Sequence, residues 1–199
     1  MRRSPKQVRA VLTENKFLEA FSRLLQTQPF QKTTVDQIAL AAGLQRGAFL
    51  KRFGSKKGGL LALWERYCQL ALDESRRLSA MIDSAPSAVW VCEEMSQTLE
   101  RIQTQYFSSN RAMHELFLES LKTDVQTREI FMSAVEIMRG VQKRFLPAGT
   151  YSDTGAFAAS QLCTSINYNY VLKAMPALPR NPQDRHRLIA ESMCMALKL

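Results

Sequence analysis

Between Thr34 and Phe53 the chain offers two short helical stretches, Val35–Ala42 and Gln45–Phe53, each only about two turns long and separated by Gly43-Leu44. Helices shorter than about 12–15 residues are marginal in water, so two such pieces persist only by packing on each other and on a third element. Thr34 stands three residues ahead of Gln37, the spacing of a capping box. Gly43 supplies a residue that leaves a helix with positive φ without Cβ strain. Upstream, Leu12, Phe17, Leu18, Phe21, Leu24 and Leu25 recur at helical spacing until Pro29 stops the pattern, which predicts a longer helix over Val11–Gln26. A pair of short helices joined by a tight Gly-containing turn and backed by a third is a helix-turn-helix arrangement.

The charge lies where that arrangement lies. Residues 1–60 hold twelve Lys and Arg against Glu14, Glu19 and Asp36, which accounts for the whole formal net charge of +9; the remaining residues balance. A localised basic surface suits phosphate backbones through counterion release, and an anionic membrane is the competing target. Residues 1–9, with Arg2, Arg3, Lys6 and Arg9, are expected as a flexible basic arm, residues 10–60 as the helix-turn-helix domain and residues 61–199 as a second helical domain.

Helical patterning continues to the end, and 8 Gly and 7 Pro in 199 residues leave little room for a turn-rich β architecture. Ser55 can cap a helix to about Asp83; further helices are expected near Ala88–Phe107, Asn110–Lys122, Asp124–Phe145, Thr154–Met175 and Pro182–Leu197. The last has Asn181 as N-cap, Pro182 at its first position and Asp184 toward the positive end of its dipole. The fold class is all-α, with about nine helices. Apolar stretches long enough for a membrane span and a signal peptide are both lacking. Cys68, Cys92, Cys163 and Cys194 have no CxxC pairing and read as free thiols of a reducing cytosol, with a thiol sensor as the sharper alternative. His114 and His186, 72 residues apart, suggest no metal site and no catalytic dyad, so neither cofactor nor enzyme activity is expected.

The string from Phe17 to Leu63 resembles the DNA-binding region of the TetR family of bacterial repressors. The resemblance rests on Leu18 and Ala20, Phe30, Thr33-Thr34-Val35, Ile38-Ala39, Ala42-Gly43, Gly47-Ala48, Phe53, Ser55-Lys56 and Leu60-Leu61, all at family spacing without a gap. It departs at Leu50-Lys51, where the family usually has Tyr, often followed by His, at Pro29, where Gly is common, and at Gln45, where a small capping residue is usual.

Ile38, Ala39, Ala42, Leu44, Ala48, Phe49 and Phe53 are expected to close the core, leaving Gln45, Arg46, Lys51 and Arg52 outside. The second helix of such a unit enters the major groove, where Arg can read guanine and Gln adenine, so Gln45 and Arg46 are the candidates for base readout. Thr33, Thr34, Lys51, Arg52 and Lys56 are the candidates for phosphate. The resemblance implies a cytoplasmic homodimer that represses from a palindromic double-stranded DNA operator and is released by a small-molecule effector. It places the effector pocket among Trp64, Tyr67, Trp90, Met95, Tyr106, Phe107, Met113, Phe117, Phe131 and Met138. It places the dimer seam along Phe157, Leu162, Ile166, Tyr170, Leu188, Met193 and Leu197. The alternatives are a small helical ligand carrier or enzyme with a vestigial basic module, and a membrane-surface protein that uses the basic arm.

Overall fold

The computed structural model describes residues 5–81, 84–120, 153–171 and 178–197. The expected helix Asp124–Phe145, with Phe131 and Met138, lies outside the described residues. Among the described residues there are eight α-helices and no strand. They are α1 (Pro5–Thr27), α2 (Val35–Ala41), α3 (Arg46–Phe53), α4 (Lys56–Met81), α5 (Ala88–Gln105), α6 (Phe107–Ser120), α7 (Asp153–Val171) and α8 (Pro182–Leu197). None is long and apolar enough to cross a membrane. Helix α1 begins at Pro5, so residues 5–9 of the expected arm are its first turns.

The chain divides into two compact units, Met1–Tyr67 with Tyr106–Thr127, and Cys68–Gln105 with Arg128–Leu199. The division falls inside α4, later than the expected boundary at residue 60, and α6 joins the first unit. In that unit Phe17, Phe21 and Phe49 are fully buried and meet edge to face, Phe17 and Phe49 with ring centroids 5.3 Å apart. Leu18, Leu25, Ile38, Ala39, Leu60, Leu63, Ala112 and Met113 complete the core. Gly59 belongs to this packing for a steric reason: a Cβ there would lie 2.6 Å from Phe49 Cζ, so α4 passes the ring only because that position has no side chain. Ala48, expected in the core, is exposed, because Phe49 and the half-buried Leu50 and Phe53 take the inward positions of α3.

The second unit packs α5, α7 and α8 around Val91, Cys92, Met95, Leu99, Ala159, Cys163, Ile189, Ala190, Met193 and Cys194, with Leu78 from α4. Its helix starts are built as their residues dictate. Ser87 Oγ accepts from Trp90 N at 3.1 Å, and Asn181 Oδ1 accepts from Gln183 N at 3.0 Å. A polar chain threads this core. Asn167 Nδ2 donates to Cys163 O at 3.0 Å and to Ser96 Oγ at 3.2 Å, and Ser96 Oγ lies 2.9 Å from His186 Nδ1. The Glu100 carboxylate faces the other ring nitrogen, Oε2 3.3 Å from Nε2, which favours the neutral tautomer with its proton on Nε2 and Nδ1 accepting from Ser96. Glu100 also takes the fully buried Arg185 bidentately, Nη2 at 2.7 and 3.0 Å, and the guanidinium stacks 3.6 Å over the Tyr170 ring.

Candidate nucleic-acid interface

The interface is assembled from the ends of α2 and α3. At the start of α2, Thr34 Oγ1 accepts from Gln37 N at 3.2 Å while Gln37 Oε1 accepts from Thr34 N at 2.8 Å, the reciprocal capping box that the spacing predicts. Its other end closes with Gly43 N bonded to Leu40 O at 3.0 Å and Leu44 N to Ala39 O at 2.9 Å, a Schellman arrangement with Gly43 at φ 65°. Both ends of a seven-residue helix are thereby satisfied, and the chain turns at once into α3.

Helix α3 buries Phe49 and turns Gln45, Arg46, Gly47, Ala48, Lys51 and Arg52 to solvent. Gln45 is its N-cap residue with extended backbone and no capping bond from its side chain, so the amide points out uncommitted to the helix end. Arg46 sits at the positive end of the α3 dipole, unfavourable for a cation. It leans instead toward Asp36 on α2, Nε to Oδ1 3.6 Å, both side chains largely exposed. Lys51 and Arg52 occupy the last turn, where the dipole favours positive charge. Arg52 Nη1 is held by Glu14 Oε2 at 2.7 Å, and the same carboxylate lies 3.7 Å from Arg66.

Two of the residues expected at phosphate stand otherwise. Thr33 is fully buried: its hydroxyl donates to Pro29 O at 3.1 Å and accepts from Gln28 Nε2 at 3.3 Å. It therefore shapes the entry to α2, leaving Thr34, one residue on, as the exposed threonine. Lys56 directs its ammonium into Phe30 O at 2.9 Å and Thr33 O at 2.8 Å, and withdrawal from water lowers its pKa. Sequence reasoning missed Asp36, Glu14 and Gln28 as partners. In the sequence the acids register only as charge, and pairing across 10 and 38 residues needs the tertiary arrangement.

Of the residues expected at an effector pocket, the first unit holds Trp64 and Tyr67 stacked at 4.9 Å, Tyr67 and Tyr106 edge to face at 5.9 Å, half-buried Phe107, and Met113 in the core. Phe117 lies on α6. The second unit holds Met95 in its core and Trp90 against it. Of the expected dimer seam, Leu162 and Leu188 are exposed and Ile166 and Tyr170 half-buried, and Phe157 lies on α7. Met193 and Leu197 turn into the core of their own unit, a correction to the expected seam, because α8 presents that face to α5 and α7. Met195, on the opposite side of α8 and unforeseen, is 71% exposed.

Two short helices at a tight turn, the first capped at both ends, packed with α1 on one aromatic core and with the cations of the second outward, make this unit a helix-turn-helix DNA-binding domain. Residues 17–63 match the model of the bacterial regulatory proteins of the tetR family, which covers this domain. No curated protein matches the chain in sequence. Solved structures share its fold over nearly the whole length. The fatty acid degradation regulator FadR from Bacillus halodurans is similar with a TM-score of 0.66 at 13% identity, covering 97% of this chain and 96% of that one. The TetR family transcriptional regulator PfmR from Thermus thermophilus gives 0.60 at 16% identity over 89% and 96%. The TetR family repressor AlkX from Dietzia sp. strain DQ12-45-1b gives 0.51 at 18% identity over 100% and 97%.

Proposed function

We propose that the protein is a homodimeric repressor that reads a short palindromic operator through α3 and is released by a small apolar effector. The observation that carries the reading is the outward face of α3, where an uncommitted amide at Gln45 and a guanidinium at Arg46 stand beside Lys51 and Arg52. Gln45 and Arg46 read base edges, while Lys51, Arg52 and the exposed Thr34 hold phosphates and fix the register. One eight-residue helix reads few base pairs, and a two-fold partner doubles the site. The exposed Leu162 and Leu188, with Met195, supply an apolar surface for that partner on α7 and α8.

The aromatic side chains Trp64, Tyr67, Tyr106 and Phe107 support an apolar effector, since pockets for such ligands are built from bulky, half-buried rings. Release requires the effector to favour the state that does not bind DNA, by about 1–3 kcal/mol for an ordinary allosteric factor. The test is selection of duplexes from a random pool, followed by affinity measurement and sedimentation of the complex. The expected result is a palindromic motif bound by two chains, with Arg46→Ala losing roughly 1–3 kcal/mol of preference for the motif over random duplex. Recovery of no motif ends the reading.

A further inference from the structure

We propose that Lys56 is a positioning residue for DNA recognition: from the first turn of α4 its ammonium moulds the segment Phe30–Thr33, and so sets where α2 and the recognition helix α3 begin. The inference rests on the DNA-reading function proposed above. The ammonium lies 2.9 Å from Phe30 O, 2.8 Å from Thr33 O and 3.5 Å from Gln31 O, and 4.3 Å above the centroid of the Phe30 ring. Two carbonyls, of Phe30 and Thr33, lie at full hydrogen-bond distance from the ammonium, with Gln31 O at the edge of it.

Of these acceptors Phe30 O also takes Thr33 N at 3.1 Å, while Gln31 O and Thr33 O lie toward the end of the turn. Phe30–Lys32 is a single turn of 3-10 helix, and the carbonyls at the end of a helix lack partners within it. A cation placed there compensates them, as a basic residue does at any helix C-terminus. Lys56 accepts an unfavourable position in return, since it opens α4, whose first turn carries no acid to offset the positive end of the dipole. From the other side Gln28 Nε2 bridges Thr33 Oγ1 at 3.3 Å and Gln37 Oε1 at 3.2 Å. The carbonyl of Thr33 is one peptide from Thr34, the cap of α2. Any shift of Lys56 therefore moves the start of α2, and with it the Schellman turn and α3.

A phosphate contact and a positioning contact leave different marks in salt. Losing a phosphate contact lowers the slope of log affinity against log salt by about one and weakens all duplexes alike, whereas losing a positioning contact keeps the slope and weakens mainly the preferred sequence. The experiment uses the full chain, the duplex it selects from a random pool and a scrambled duplex, between about 50 and 200 mM salt. Lys56→Met is compared with Lys51→Met and with Phe30→Leu, and thermal melting monitors folding. Lys56→Met should lose about tenfold on the selected duplex and much less on the scrambled one, with the wild-type slope. Phe30→Leu, which keeps the ammonium and its carbonyls, should shift selectivity in the same direction by less, and it carries the comparison should Lys56→Met fail to fold. Lys51→Met should lose on both duplexes with a slope reduced by about one. A reduced slope in Lys56→Met, an equal loss on both duplexes or wild-type behaviour overturns the proposal. Failure of the wild type to select any sequence overturns the function itself and is seen before any variant is compared.

Discussion

Arg46 shows how a single side chain can be placed without being committed. Its partner Asp36 is 3.6 Å away and both are largely exposed, so the pair contributes little to stability. On the base-reading role proposed for Arg46, the same carboxylate repels phosphate near a duplex and competes with the base for the guanidinium. Asp36→Asn should leave the stability measured in urea within about 0.5 kcal/mol of wild type and tighten duplex binding roughly two- to tenfold, more at low salt. Fluorescence anisotropy on labelled duplex checks this; weaker binding would mean that Asp36 orients Arg46 rather than restraining it. Arg52 differs because its 2.7 Å contact with Glu14 is half-shielded, so it must exchange one anion for another to reach phosphate.

At the scale of elements, α2 is the least self-sufficient part of the interface. Seven residues cannot hold a helix by propensity, and what holds it is the capping box at Thr34, the Schellman turn at Gly43 and the burial of Ile38 and Ala39. Thr34→Ala removes the acceptor for Gln37 N and should cost about 1 kcal/mol in denaturant unfolding, whereas Thr34→Ser should cost little. The box was legible in the sequence because it needs only two residue types at a fixed spacing. The role of Lys56 was not, because a lysine on carbonyls and a lysine on phosphate look alike until the carbonyls of residues 30–33 are in place.

At the scale of the whole molecule, stability is set by how each unit closes its core. In the second unit that closure includes the imidazole of His186, whose environment favours the neutral form. Burial lowers its pKa below the ordinary 6.5 and Arg185 acts in the same sense, while Glu100 and Glu93 oppose. The unfolded chain therefore takes up the proton more readily than the folded one. The stabilisation is complete above about pH 6.5 and is lost progressively as the pH falls below it. The urea midpoint should accordingly decline from about pH 7.5 to about pH 5, and His186→Gln should flatten that decline; a wild-type midpoint constant over this range would mean that the imidazole is not buried neutral. The thiols of the same core are withdrawn in the same way. Burial pushes Cys163 up to about 12, and Cys92 and Cys194, 3.9 Å apart, are raised as well, which disfavours the thiolates that a peroxide sensor needs.

The sequence by itself determined the periodicities, caps and breaks of the helices. It also determined the segregation of charge into the first sixty residues and the string of spaced residues that marks the DNA-binding domain, because each of these depends on neighbours within a turn or two. The tertiary structure alone decided which cations stay exposed on α3, that Thr33 and Lys56 face carbonyls, and that Met193 and Leu197 close a core while Met195 is exposed. It also brought Ser96, Asn167 and His186 into one hydrogen-bonded chain. Apart from Thr33, whose partners Pro29 and Gln28 are four and five residues away, these outcomes turn on partners far off in the chain, and which face of a helix meets a neighbour is settled by packing rather than by the helix's own pattern.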